Sequence, residues 1–208
     1  MTVREVMDLA RNGELKQVAA GQDDGTVLGF INLGLIELYK RFPLKVEELL
    51  IELRDEVEIY DLPADCMYVI AAYGEVDEQS TDIVNILPVN EEDNPLSVNT
   101  IAWNKVQVPL SAAGSYVSIV YAAGPELIVE DGADAYLNAE VPLPMQMIEA
   151  LLHYMGYRAH GSVNGAIQTE TQSHYNRFEA SCQRIEATGL LTSDDMSTLK
   201  RFSTRGFV

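Results

Sequence analysis

Apolar residues recur at helical spacing near the beginning of the chain. The stripe within residues 3–10 follows the i, i+3, i+4, i+7 rule, and it lies behind a capping-box pattern formed by Thr2 and Glu5. It predicts a first helix near residues 3–12 and leaves open a continuation past Gly13 to Ala19. A second apolar stripe predicts a helix over residues 26–41, which Pro43 ends.

Two further helices are predicted near the other end of the sequence. The apolar face of the third consists of Met145, Ile148, Leu151, Leu152, Met155 and Ala159. Gly161 ends that helix, and a fourth runs from about Gly165 to Ala187. Neither terminal pair of helices can bury its apolar stripe alone, so we expect the two pairs to pack together as a bundle.

The apolar period changes to two in the middle of the chain. Alternating or continuous apolar runs between residues 49 and 122 are typical of strands, and prolines and polar clusters separate them. Hairpin turns are predicted at residues 54–56 and around Asn104 and Lys105. Because no helix-length pattern interrupts the strands, we expect mostly antiparallel pairing.

These patterns predict an α+β fold with three parts. The first is a four-helix bundle from the N- and C-terminal helix pairs, at residues 1–44 and 142–191. The second is an inserted antiparallel β domain at residues 45–141, and the third is an extended C-terminal arm at residues 192–208.

Charge is unevenly distributed along the sequence. The 208 residues contain 14 basic and 32 acidic side chains, a formal net charge of −18. Residues 45–95 contain 15 acids and only two bases, a local net charge of −13, whereas residues 196–208 have a net charge of +3. Such negative charge disfavours ordinary nucleic-acid binding. It is also compatible with a role in solubility alone.

The compartment is predicted from what the sequence lacks. It has no apolar run near the ~20 residues that cross a bilayer, and Met1–Glu5 leads into no signal-peptide core. We therefore expect a protein of the cytoplasm that does not enter a membrane. Cys66 and Cys182 form no CxxC pair, and we expect both to be buried thiols.

Candidate catalytic chemistry is sparse. The sequence contains no phosphate-binding glycine loop, no G-x-S-x-G pattern and no H-E-x-x-H pattern. Glu149, His153 and His160 share a face of the third helix, and His174 lies in the fourth, but helical histidines are more often structural than metal ligands. The acids at 91–93 are typical of a solvated turn. We therefore expect no enzymatic activity, no catalytic residue, no cofactor and no metal.

The C-terminal segment combines positive charge with aromatic residues. Two phenylalanines lie among three basic residues in a segment too short to bury them locally. This combination favours a docking arm that orders on a partner, and a frayed terminus is the alternative. The candidate docking residues are Leu199, Lys200, Arg201, Phe202, Arg205, Phe207 and Val208.

Three segments resemble the head-to-tail adaptor, or connector, proteins of tailed bacteriophages, especially the helical type of short-tailed phages. The first is GFINLGLIELYKRFP at 29–43, which is similar to the family's second helix running into a proline. The second is YDLPADCMYVI at 60–70, near the start of the β insertion. The third combines PLPMQMIEALLHYMGYRAHGS at 142–162 with SHYNRFEASCQRIEA at 173–187.

The resemblance implies a structural virion protein and its partners. Family members form a homo-oligomeric ring, usually of twelve copies, beneath the portal protein in the neck of the virion, after assembly in the host cytoplasm. Such a ring continues the DNA channel, through which DNA passes without sequence-specific binding, and it meets a tail tube or nozzle protein below. In the family the C-terminal arm reaches the portal, which implies that role for residues 192–208.

Two other functions stay open on the sequence. The net charge of −13 at residues 45–95 is compatible with an acidic DNA mimic that inhibits a nucleic-acid enzyme. Competition with duplex DNA for a nuclease would distinguish that class from an adaptor. The third class is an acidic enzyme whose site follows none of the patterns above.

Overall fold

The chain forms two compact units. A computed structural model describes residues 1–18, 23–75, 83–109, 116–130, 132, 134–161 and 168–189. The first unit consists of the described residues of 1–42 and 125–191, and the second of those of 43–124. Helices lie in the first unit and antiparallel sheets in the second, which confirms the predicted α+β class. Within these described ranges, no helix is long and apolar enough to cross a membrane.

The first two helices are α1 (Val3–Asn12) and α2 (Asp24–Arg41), close to the predicted bounds. Both arms of the capping box on Thr2 are present, and the Asp23 side chain caps α2 by accepting a hydrogen bond from the Thr26 amide. That hydrogen bond lowers the pKa of Asp23. α1 does not continue past Gly13, because residues 13–18 form turns that bury Leu15.

The described part of the chain contains two further helices, α3 (Ile148–Gly161) and α4 (Gln168–Ala187). α3 packs against α4, α2 and α1, so the N- and C-terminal helices share one core. Most of the predicted α3 face is buried, but Met145 lies in a 3-10 turn before the helix and is 72% exposed. The prediction that Met145 belongs to the apolar face is wrong, since the chain after Pro144 has not yet begun the α-helix.

Hydrogen bonds also join the two ends of the first unit. The amide of Val3 donates to the carbonyl of Ala139 at 2.9 Å, and the amide of Val141 donates to the carbonyl of Met1 at 2.9 Å. The Tyr39 hydroxyl donates to the carbonyl of Pro142 at 2.9 Å. The segment before α3 is therefore held by both α1 and α2.

Among the residues that the structure describes, seven strands form two antiparallel sheets in the second unit. The four-stranded sheet has the order β1-β7-β3-β4, and the three-stranded sheet has the order β2-β6-β5. The strands are β1 (Val46–Glu52), β2 (Ile59–Asp61), β3 (Cys66–Glu75), β4 (Ile83–Leu87), β5 (Asn99–Ala102), β6 (Lys105–Gln107) and β7 (Tyr116–Ala123). A cluster of buried apolar side chains from both sheets, including Val98, Val106 and Ile119, forms the core.

The two predicted hairpins have different outcomes. The one around Asn104 is confirmed, because β5 and β6 pair across that turn. The one at residues 54–56 is wrong: β1 pairs with β7 over seven positions, whereas β2 pairs with β6 in the other sheet. The long central strand β7 can form more backbone hydrogen bonds with β1 than the three-residue strand β2 could. β7 also offers β1 a buried face.

Candidate assembly surface and histidine–carboxylate cluster

The predicted docking arm lies outside the described residues. This applies to all of its candidate residues, Leu199, Lys200, Arg201, Phe202, Arg205, Phe207 and Val208. The described residues instead offer two other features that could carry function, namely an exposed apolar surface on the three-stranded sheet and a buried group of histidines beside a glutamate.

The exposed apolar surface lies on the three-stranded sheet and its hairpin turn. Ile59 in β2 is 50% exposed, Ile101 in β5 is 48% exposed, and Trp103 in the β5–β6 turn is 75% exposed. Lys105 and Asp61 form an ion pair of 2.6 Å on the same sheet. We call Ile59, Ile101 and Trp103 the apolar surface. Exposed tryptophan and isoleucine side chains on one small sheet are typical of a protein interface.

Part of the predicted acidic region makes internal contacts. On β1, the carboxylate of Glu48 accepts a hydrogen bond from the buried Ser118 hydroxyl, and that of Glu47 accepts one from the Tyr121 hydroxyl at 3.1 Å. Burial and the Glu47 contact raise the pKa of Tyr121. These two carboxylates support the four-stranded sheet by bonding to its neighbouring strand β7.

The acids at 91–93 lie in an exposed turn. The amide of Glu91 donates to the Ser97 hydroxyl at 2.9 Å, and its carboxylate accepts from the Asn94 side chain at 3.1 Å. All three acids are exposed. Their place in the fold is that of a hydrogen-bonded surface turn between β4 and β5.

The three histidines meet in the first unit. His153 and His160 lie two turns apart on α3, and His174 lies on α4. The rings of His160 and His174 stack with centroids 4.6 Å apart. His160 is 3% exposed and His174 is 9% exposed, so both rings are buried. The reason is that α3 and α4 pack closely along the faces that carry these rings.

A glutamate from the first half of the chain completes this cluster. Glu14 follows the end of α1, where the amide of Gly13 donates to the carbonyl of Leu9 at 2.9 Å. The next residue, Leu15, is fully buried, and the Glu14 carbonyl accepts a hydrogen bond from Nε2 of His160 on α3 at 3.2 Å. The sequence analysis missed Glu14, because a residue in a turn belongs to no periodic pattern.

The side-chain carboxylate of Glu14 faces two of the rings. Its Oε2 lies 2.8 Å from Nδ1 of His174, and its Oε1 lies 3.3 Å from Nδ1 of His153. Arg177 is the nearby cation, with Nη1 3.7 Å from the same Oε2. We call Glu14, His153, His160 and His174 the histidine–carboxylate cluster. It borders a cleft of about 350 Å³.

Burial is the main electrostatic influence on His174. It lowers the pKa of this imidazole, and the opposing attraction of Glu14 is smaller. His160, Arg177 and His153 lower the pKa further. Together these influences favour the neutral imidazole of His174 over the imidazolium.

The chain was compared with known protein families and with curated proteins. A family model described as SU10 adaptor protein matches residues 1–201. No curated protein matches the chain. The family match covers both terminal helix pairs and the whole β region, so it does not depend on a single short motif.

Proposed function

The chain belongs to the SU10 adaptor protein family and is thus a structural adaptor of the bacteriophage head–tail region, and we propose that it works as a ring of twelve copies. The ring joins the portal protein to a tail tube or nozzle protein in the neck of a short-tailed phage, and it continues the DNA channel. The observation that carries this proposal is the family match over residues 1–201.

In this proposal the helices form the frame of each subunit. Residues 1–44 and 142–191 act as one four-helix bundle, and residues 45–141 act as an inserted β domain. The packing of α3 against the other three helices supports a common frame. So does Arg41 at the end of α2, which makes ion pairs with Glu179 at 2.8 Å and Glu186 at 2.7 Å on α4.

We assign the contact between neighbouring copies to the apolar surface. Its occupant is a second copy of this chain, because a ring requires a heterologous interface on every subunit. Trp103 supplies the largest exposed side chain, and buried tryptophans are the commonest interface hot spots.

A matched pair of variants tests this contact. Truncating a hot-spot tryptophan costs about 2 kcal/mol or more, which corresponds to roughly 30-fold weaker association. We therefore expect Trp103→Ser to move the chain from rings to monomers in native mass spectrometry. Ile86→Ser is the control, because Ile86 is 77% exposed but lies on β4, in the other sheet. Equal loss of rings in both variants, or in neither, would contradict the assignment.

The C-terminal arm, residues 192–208, is proposed to dock on the portal. Its cationic side chains suit a partner surface of opposite charge, and its two phenylalanines suit apolar pockets. Leu199, Lys200, Arg201, Phe202, Arg205, Phe207 and Val208 are the residues assigned to this contact.

Deletion of residues 192–208 tests the arm. We expect the truncated chain to keep its circular dichroism spectrum and to lose binding to purified portal rings of the same phage. Phe202→Ala and Phe207→Ala should weaken binding more than Lys200→Ala, because buried aromatic anchors contribute more than charges at an interface rim. Undiminished portal binding by the truncated chain would refute this assignment.

Negative charge is proposed to delay assembly and to keep DNA from adhering to the channel. Twelve copies at −18 each carry roughly −216, and repulsion between such subunits is screened by salt. We expect added salt to shift the monomer–ring equilibrium toward rings in analytical ultracentrifugation. A monomer–ring equilibrium that does not respond to salt would show that charge repulsion does not delay assembly.

A further inference from the structure

The histidine–carboxylate cluster has a composition that the adaptor function does not require. We propose that Glu14, His153 and His174 bind one divalent transition-metal ion of the Zn²⁺ class. The ion would join the turn after α1 to α3 and α4, three segments that the chain brings together from positions 14, 153 and 174.

The donor atoms already lie close together. One ligand atom from each of the three residues can be chosen so that all lie within 4.8 Å of one another. Two ligands at about 2.1 Å from a tetrahedral ion are about 3.4 Å apart. The 3.3 Å between Glu14 Oε1 and His153 Nδ1 already matches that value. The 4.8 Å limit exceeds the tetrahedral separation by about 1.4 Å, which side-chain rotation can close.

Two buried ring nitrogens point at the site without a hydrogen bond. Nδ1 of His153 lies 3.3 Å and Nδ1 of His174 lies 2.8 Å from a carboxylate oxygen of Glu14, but neither contact has the geometry of a hydrogen bond. Both side chains are nearly nine-tenths buried, with 12% and 11% exposed. A buried nitrogen without a hydrogen bond is costly, and a metal ion placed between these nitrogens and the Glu14 carboxylate would remove that cost.

Neighbouring groups suit the outer shell of such a site. Nε2 of His153 faces Oε1 of Glu149 at 3.6 Å, and that carboxylate is itself held by Arg184 at 3.3 Å. A carboxylate on the far nitrogen of a metal-binding histidine orients the ring and makes it a better ligand. On the other side, the stacked ring of His160 limits rotation of His174.

Backbone packing also positions His174. A Cβ atom on Gly156 would lie 2.7 Å from Nδ1 of this ring, so only a glycine on α3 leaves the ring room at the cluster. Both the proposed site and the helical core therefore require α3 and α4 to approach closely at Gly156.

The donor set indicates the class of ion. Two imidazoles and one carboxylate are ligands of zinc and related divalent ions, whereas Mg²⁺ and Ca²⁺ prefer oxygen alone. Arg177 competes with a cation for Glu14, but its side chain is 56% exposed and can turn outward. The adjoining cleft leaves a fourth position for water.

The test is titration of the full chain with ZnCl₂ after treatment with a chelator. We expect one Zn²⁺ per chain by calorimetry. At 100 times the dissociation constant, the melting temperature of the helical unit should rise by roughly 10 °C. Binding should weaken at least tenfold in Glu14→Gln and in His174→Gln, which keep side-chain bulk near the cluster.

Two measurements separate this site from adventitious binding to acids at the surface. The control is Glu92→Gln, which removes an exposed carboxylate of the 91–93 turn and should leave zinc affinity unchanged. X-ray absorption of the zinc-loaded natural chain should show two imidazole ligands, a readout that requires no variant to fold. A spectrum without imidazole ligands, or equal zinc affinity in Glu14→Gln and the natural chain, would overturn the proposal.

Discussion

The same substitution at two positions of α2 should have opposite effects on stability. Gly34 and Gly29 both lie inside this helix, so alanine in either place gains up to about 1 kcal/mol in helix propensity. Their surroundings differ. A Cβ on Gly34 would overlap Cδ1 of Leu151 and lie 3.3 Å from Cδ1 of Tyr154, whereas a Cβ on Gly29 would meet nothing within 4 Å.

The overlap at Gly34 should outweigh the gain in propensity. Leu151 is fully buried on α3, so it cannot change rotamer without moving other core side chains. Overpacking of this kind costs about 1–3 kcal/mol. We expect Gly34→Ala to lower the free energy of unfolding by about 1–2 kcal/mol and Gly29→Ala to raise it by about 0.5–1 kcal/mol.

Urea unfolding followed by far-UV circular dichroism measures both changes. The helices of the described chain all lie in the first unit, so the helical signal reports on that unit. With a slope of about 1–3 kcal/mol per molar urea, the two midpoints should differ by about 1 M. If both variants shift in the same direction, the close approach of α2 and α3 at Gly34 is not as described.

Two further predictions concern α4 and the cysteines. Arg41→Ala should destabilise the helical unit by about 1–2 kcal/mol at neutral pH, because it breaks ion pairs to Glu179 and Glu186. The contact with Arg41 lowers the pKa of Glu186. The stability that the Arg41–Glu186 ion pair contributes is therefore fully present above the ordinary carboxyl pKa of 4.5 and disappears as the pH falls through the lowered pKa. Urea unfolding of both proteins from pH 7 down to pH 3 measures the loss and its pH dependence, and a loss that stays constant to pH 3 would contradict this prediction. Burial raises the thiol pKa of both Cys66 and Cys182 to about 11, so thiol-reactive dye should label the folded chain slowly at pH 8, with half-buried Cys66 reacting before fully buried Cys182. Equal rates at the two thiols would contradict the buried position of Cys182.

The histidine–carboxylate cluster shows where reasoning from the sequence stopped. Spacing alone places Glu149, His153 and His160 on one face of a helix. It does not reveal that His174 stacks on His160, or that Glu14 approaches from more than a hundred residues away. Contacts between residues so distant in sequence depend on how helices pack, and no periodicity encodes a partner.

Local interactions determined most of the helices and strands before any packing was considered. The capping box at Thr2 begins α1, the Asp23 cap begins α2, and alternating apolar residues mark the strands. Each of these signals acts over a few residues, so it can be read directly along the chain.

Tertiary structure alone decided which of those elements became neighbours. β1 is separated from β2 by a short turn, yet it pairs with β7, some seventy residues away, because the longer strand offers more hydrogen bonds and a buried face. Likewise, Glu14 lies beside the buried Leu15 and meets histidines of α3 and α4 that are far away in the sequence. Pairing and burial are competitions among all available partners, and their outcome depends on the whole chain.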